Sequence, residues 1–252
     1  MIDSHIHADT RPYEDFEKMA ISGLESAITC AHDPLIMSSS DVILDHFHRL
    51  LNNDKERAIK NGLNLYAAIG IHPRSISKDY EVVMNKLPSL LENPSVVAIG
   101  EIGLEKASES EKEIFKKQLI LADKLNMKVI VHTPRTNKKA VTKITCSLIE
   151  ENIDHSLVII DHVDKTIIND VINFGSMLGL TVQPLKMSPE EAVTLLDEYG
   201  TEKFLLNSDM SSSPSDPLSV PKTVHKMKLE NFTSSEIMKV SHDNASKFFA
   251  IE

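Results

Sequence analysis

The chain has 252 residues, of which 41% are apolar and 25% charged, and its formal net charge is −10. That length suits one α/β barrel, and the acidic balance argues against strong duplex nucleic-acid binding, which relies on Lys and Arg neutralising phosphates. The two cysteines, Cys30 and Cys146, form no CxxC pair, so neither a disulfide framework nor a zinc ribbon is expected.

No run approaches the roughly 20 apolar residues of a membrane span, and no basic-plus-apolar leader opens the chain. The expectation is a cytoplasmic protein with no membrane partner. At 5% aromatic residues and no Trp, there is little material for stacking bases.

Short apolar runs alternate with longer amphipathic stretches from end to end. The expected strands are 2–7, 26–31, 63–71, 96–102, 128–132, 157–162, 177–183 and 203–208. The expected helices are 41–61, 79–92, 108–126, 137–152, 165–174, 189–199, 220–228 and 234–249. In the third of these, Phe115, Leu119, Ala122 and Leu125 have the spacing of one buried helical face. The strand runs are nearly continuous in apolar residues, as parallel strands covered on both faces require. The pattern predicts one domain over residues 1–252, folded as a single (β/α)₈ TIM barrel. A doubly wound open sheet would normally carry a Gly-rich loop after its first strand, where this chain has His5-Ile6-His7-Ala8-Asp9.

His5 and His7 sit two apart on the first strand, so alternation turns both imidazoles to one face. His46 and His48 share that spacing, but on a helix two residues span about 200° and the rings diverge; they read as surface or packing residues. Polar residues then recur just past apolar runs: Glu101 after the fourth, His132 after the fifth, His162 after the sixth and Asp209 after the eighth. Placing such groups there is costly without a partner or an ion. All would face the C-terminal mouth, where barrel enzymes keep their active sites. Four imidazoles and two carboxylates exceed one tetrahedral ion and suit two divalent ions sharing a bridging carboxylate. Zn²⁺ leads for this donor set, with Mn²⁺, Mg²⁺, Co²⁺ and Fe²⁺ compatible.

Ile2-Asp3-Ser4-His5-Ile6-His7, Gly70-Ile71-His72-Pro73, Ala98-Ile99-Gly100-Glu101-Ile102-Gly103-Leu104 and Val129-Ile130-Val131-His132, with the helix carrying Gln118 and Leu119, occur in order along nearly the whole chain. In this combination the chain resembles the TatD family of metal-dependent hydrolases, among the amidohydrolase-like barrels. The resemblance implies that His5, His7, Glu101 and Asp209 hold one metal. It implies that Glu101 bridges to a second held by His132 and His162, and that Asp209 orients or deprotonates the attacking water. The chain departs from the family pattern at Asp161-His162-Val163-Asp164, at Asn207-Ser208-Asp209-Met210 and at Glu105, where an Asp is common.

Around this set, His72 and Arg135 are the candidate substrate-binding residues, and Arg74 is similarly placed. Arginine forks suit phosphate or carboxylate. His32, at the end of the second strand, ranks below them. Asp161 and Asp164 are candidates to orient an imidazole, Lys138 and Lys139 read as solvated residues at a helix start, and Cys30 as core. The expected function is hydrolysis by metal-activated water. By resemblance the substrate is a phosphoester, either a nucleic-acid end or a small molecule. The alternatives are a small-molecule esterase, lactonase or amidase, and a non-catalytic metal-binding barrel.

Overall fold

Runs of Val, Ile and Leu that are buried on both faces fold as parallel strands. The structure is a computed structural model and describes residues 1–31 and 36–251. Its strands are β1 (Ile2–Ile6), β2 (Ser26–Cys30), β3 (Asn64–Ala68), β4 (Val96–Gly103), β5 (Lys128–His132), β6 (Val158–Ile160), β7 (Met177–Thr181) and β8 (Phe204–Asn207). Among the described residues each strand pairs in parallel with the next, in the order β1 to β8. Just past β8 the two edges meet. The Asp209 N–H donates to the His5 carbonyl at 2.9 Å, and the His7 N–H to the Met210 carbonyl at 2.7 Å. Closure removes both sheet edges, and the fold is the expected (β/α)₈ barrel.

The helices are α1 (Tyr13–Ile21), α2 (Ser40–Arg49), α3 (Lys55–Ile59), α4 (Tyr80–Leu90), α5 (Glu109–Leu125), α6 (Lys138–Asn152), α7 (Ile168–Val171), α8 (Pro189–Tyr199), α9 (Ser219–Leu229), α10 (Ser234–Met238) and α11 (Asn244–Phe249). Four regions differ from expectation. The first helix was not read from the sequence: it buries only Asp15, Phe16 and Met19, too short an apolar stripe to stand out. The stretches 41–61 and 234–249 do not run as single α-helices, because wide π turns at Leu50–Asp54 and Lys239–Asp243 interrupt them. The expected helix 165–174 shrinks to one turn, with Asp164 accepting hydrogen bonds from Thr166 ahead of it. No helix among the described residues is long and apolar enough to cross a membrane.

Two apolar layers hold this together. Ile2, Ile28, Cys30, Ala68, Ala98, Ile130, Ile159 and Leu205 pack with one another. Strands that are not neighbours can share such a cluster only inside the barrel. Ala245, Phe248 and Phe249 of α11 join it and cap that core. The larger layer lies between the outer strand faces and the helices, and includes Ile99, Val129, Val131, Ile160, Phe115 and Leu196.

Candidate metal centre

At the C-terminal ends of the strands the barrel interior turns polar, and strand parity accounts for part of that. Ile130 and Ile159 point inward, so two residues on His132 and Asp161 do too. From Leu205 the same step reaches Asn207 and then Asp209. Four residues do not follow the rule: His5 and His7, which the register shift of β1 on β2 between Asp3 and Ile6 turns in although Ile2 already points inward, and Glu101 and His162. Ala98 points inward, so strict alternation would turn Glu101 outward; the register of β4 on β5 shifts between Ile99 and Ile102 and brings it in. His162 directly follows the inward Asp161, and its backbone φ of 56° swings the ring back toward the axis. Asp209 is also left-handed, with φ of 41°. Left-handed backbone at a non-glycine residue costs of order 1–3 kcal/mol and tends to occur at functional sites.

The structure brings the six expected residues together. His5 and His7 present their Nε2 atoms 3.3 Å apart. Asp209 Oδ1 lies 3.2 Å from His7 Nε2 and 3.7 Å from His5 Nε2. Glu101 stands at the centre: its Oε2 is 3.7 Å from His5 Nε2, and its Oε1 is 2.9 Å from both His132 Nδ1 and His162 Nε2. All six are buried.

The other nitrogen of three rings is held by a neighbour. His5 Nδ1 donates to Asp161 Oδ2 at 2.5 Å, and His132 Nε2 to Glu105 Oε2 at 2.9 Å. His162 Nδ1 donates to Thr181 Oγ1 at 2.7 Å, whose hydroxyl donates on to Asp161 Oδ1 at 3.4 Å. Each such bond fixes a tautomer and leaves the lone pair of the opposite nitrogen aimed at Glu101 or Asp209, the arrangement that metal-ligating histidines require.

Electrostatics favour positive charge here. Burial raises the Glu101 carboxyl's pKa, but His5, His132 and His72 around it hold it well below the usual carboxylate range. Burial likewise opposes ionisation of Asp209, and Lys186 and His7 outweigh it. Burial, then Lys186, pushes His162 down to about 4, so its ring is neutral near pH 7. Burial disfavours charge on His5 and His132, yet neighbours that include Glu101 raise both. The donor groups His5/His7/Asp209, His5/Glu101/His162 and His72/Glu101/His132 each place their atoms within 4.8 Å of one another. Nitrogen and carboxylate donors at this spacing, with oriented rings, fit divalent metal ions.

A cavity of about 450 Å³ opens over His7, Glu101, His132, His162 and Asp209. Arg135, exposed at its mouth, lies as expected on the wall, with Nη2 3.4 Å from Gln183 Oε1. Arg74 also lines it, with Nε 3.6 Å from Glu105 Oε2.

His72 is placed differently from expectation. It is fully buried behind the cavity wall, with Nε2 3.6 Å from Glu101 Oε2 and its ring packed edge-on against His132. That position suits supporting Glu101 better than touching substrate. Lys138 is not a solvated helix-start residue. It lines the cavity, only 14% exposed, and pairs with Asp164 Oδ2 at 2.7 Å, while Lys139 is solvated. Asp161 orients an imidazole, but it is that of His5; Asp164 serves Lys138 instead. Cys30 is core. His46 and His48 stay away from the centre, on α2. His32 lies outside the described residues.

Sequence reasoning missed Lys186, Gln183 and Thr181. The Lys186 ammonium pairs with Asp209 Oδ2, and the Gln183 amide donates to the Asp209 carbonyl. Thr181 and Gln183 end an apolar run, the signal that singled out His132. A lone lysine in the loop after β7 carries no comparable mark.

The family model described as TatD-related DNase matches residues 2–250. A protein named an uncharacterized metal-dependent hydrolase, from Methanocaldococcus jannaschii, is 44% identical over 253 residues, which span 100% of both chains. A 3'-5' ssDNA/RNA exonuclease TatD of Pantoea vagans is 39% identical over 72 residues, 27% of this chain and 28% of its own. Among solved structures, a TatD-like protein of Archaeoglobus fulgidus has a TM-score of 0.85 at 29% identity, covering 100% of each chain.

Proposed function

The chain belongs to the TatD-related DNase family, whose members include metal-dependent hydrolases, and from that premise we propose that it hydrolyses a phosphoester bond with a metal-activated water. The observation that carries this reading is the charge of the cavity. The chain is net negative at −10, yet Arg74, Arg135, Lys138 and Lys186 all line the one cavity over the candidate ligands. Glu105 and Asp164 pair with Arg74 and Lys138, which leaves Arg135, and Lys186 beside the candidate ligand Asp209, to meet an anionic group; a phosphoester offers one, and a neutral ester, lactone or amide does not. The exonuclease of Pantoea vagans supports the same chemistry through a shorter match.

In this reading His5, His7, Glu101 and Asp209 would hold one divalent ion, and Glu101, His132 and His162 would hold a second. Zinc is the first choice for the donor set. Bound ions supply Lewis acidity toward water and toward the phosphoryl oxygen. Asp209 Oδ1, 3.2 Å from His7 Nε2, takes the proton of the attacking water. The water oxygen adds to phosphorus, the P–O ester bond breaks, and Asp209 passes the proton it took to the departing alkoxide, which leaves as the alcohol.

Purified protein loaded with zinc or manganese tests this on single-stranded DNA, an aryl phosphodiester, a lactone and an amide. Metal-dependent cleavage of a phosphoester, falling by on the order of 10²–10⁴ in Asp209→Asn, is the expected result. Lactone or amide turnover with inert phosphoesters would overturn the reading in favour of a small-molecule hydrolase. Bound metal with no turnover of any substrate would favour a non-catalytic barrel.

A further inference from the structure

The cations of the cavity are not distributed evenly. Arg74 faces Glu105, and Lys138 is held by Asp164 at 2.7 Å. Arg135 and Lys186 remain, on the loops that follow β5 and β7. Lys186 is only 14% exposed and is matched by Asp209 alone among the described ion pairs. Arg135 pairs with no carboxylate among the described residues and makes a long contact to the neutral Gln183 amide. Gln183 ties the two cations to one place. Its side chain accepts from Arg135 and donates to the Asp209 carbonyl, and its backbone carbonyl accepts the Lys186 N–H at 2.9 Å. Leu185, left-handed with φ of 71°, makes the turn between Gln183 and Lys186.

Asp209 is also a candidate metal ligand. A carboxylate shared with a divalent cation has less charge to offer an ammonium. In the working protein the Lys186 ammonium, poorly hydrated in its cavity, therefore needs another anion, and Arg135 has had none from the start. The scissile phosphate belongs over Glu101 and Asp209. Resting on the phosphoester reading above, we propose that Lys186 and Arg135 form a subsite for a second phosphate of the substrate, one linkage away from the scissile one. Two sources share that chemistry: the next backbone phosphate of an oligonucleotide, and the terminal phosphate of a small organophosphate or a phosphorylated end.

Two measurements test this. Metal-loaded wild type, Lys186→Met and Lys186→Arg are compared on a dinucleoside monophosphate, the same compound with a terminal phosphate added, and a trinucleoside diphosphate. In wild type the second phosphate raises kcat/KM at least tenfold. Lys186→Met brings that ratio to near one, and Lys186→Arg retains most of it. Preference for the terminal phosphate assigns the subsite to ends and small organophosphates; preference for the internal one assigns it to a polymer backbone. A ratio unchanged in Lys186→Met overturns the proposal.

The second measurement needs neither metal nor turnover. Inorganic phosphate is titrated into the metal-free full chain by phosphorus NMR. Asp209→Asn, which frees the ammonium, binds phosphate at least several-fold more tightly than wild type, and Asp209→Asn/Lys186→Met loses that gain. Equal binding by the two variants, with thermal unfolding showing both folded, also overturns the proposal. Should no phosphoester be cleaved at all, the functional reading fails while this titration still decides the subsite.

Discussion

The carboxylate of Asp161, just past β6, meets Nδ1 of His5, on β1, at 2.5 Å across the barrel axis. Asp161 is itself fixed by the His162 N–H at 2.7 Å and the Asn207 amide at 2.8 Å, both on Oδ1. The bond sets the His5 tautomer and points Nε2 at Glu101 and Asp209. Asp161→Asn keeps the shape and removes the charge. Its metal affinity should fall by roughly 10- to 100-fold, read by equilibrium dialysis against zinc or manganese. Wild-type affinity in this variant would show that packing alone orients the ring.

Gly179 on β7 makes room for that carboxylate. A Cβ at this position would stand 1.9 Å from Asp161 Oδ1 and 2.8 Å from its Cγ. The requirement is for space, since Gly179 has no left-handed φ. Gly179→Ala should destabilise the fold by about 1–3 kcal/mol, as overpacking does, and weaken metal binding by displacing Asp161. Denaturant unfolding checks the first effect. Adding Asp161→Ser should recover part of the stability while leaving the binding defect in place.

Gln118 on α5 acts as a clamp. Its buried carboxamide accepts the Ile71 N–H at 2.7 Å and donates to the Ile71 carbonyl at 3.1 Å. This holds the backbone immediately before His72. Gln118→Leu removes both partners and should cost roughly 1–3 kcal/mol for each buried group left unsatisfied. Gln118→Glu, which still accepts from the N–H, should cost less. Chemical denaturation of the two variants gives the comparison.

Metal removal should abolish turnover, and acid should promote removal. Each imidazole binds either a proton or a metal ion. Glu101 and Asp209 lie well below the ordinary carboxylate range and stay ionised. His5 and His132 are raised above the ordinary 6.5 and take up protons first, whereas His162 stays neutral until about pH 4. Metal affinity should therefore fall as pH drops through and below neutrality, with a slope of more than one proton per ion. Chelator competition across a pH series measures this. An affinity flat between pH 8 and 5.5 would contradict the proposed imidazole ligands. Saturating metal should also raise the unfolding midpoint, by about 2.7 kcal/mol of stability at 100 times the dissociation constant.

Much of the architecture was legible because its signals are local. The eight apolar runs became eight parallel strands, and α5 buries Phe115, Leu119 and Ala122 as their spacing predicted. The polar residues that end those runs, His132 and Asp209 among them, converge at one mouth. α1 was not legible, since nine residues with a narrow apolar stripe give too weak a period. The breaks in 41–61 and 234–249 were not legible either, because a π turn inserts a residue without changing composition.

Residue type and position along the chain were enough to say which chemistry the protein can hold: imidazoles and carboxylates placed after apolar strands, where only a partner or a cation offsets the cost of burial. Tertiary structure decided which atoms face that chemistry. A register shift in β4 turns Glu101 inward against strand parity, and a left-handed φ does the same for His162. Barrel closure brings His5 beside Asp161, and the pairing of β7 with β8 carries Lys186 onto Asp209. The physical reason is that side-chain type is a local property, whereas the direction of a ligand atom depends on backbone irregularities and on neighbours that meet only once the sheet closes.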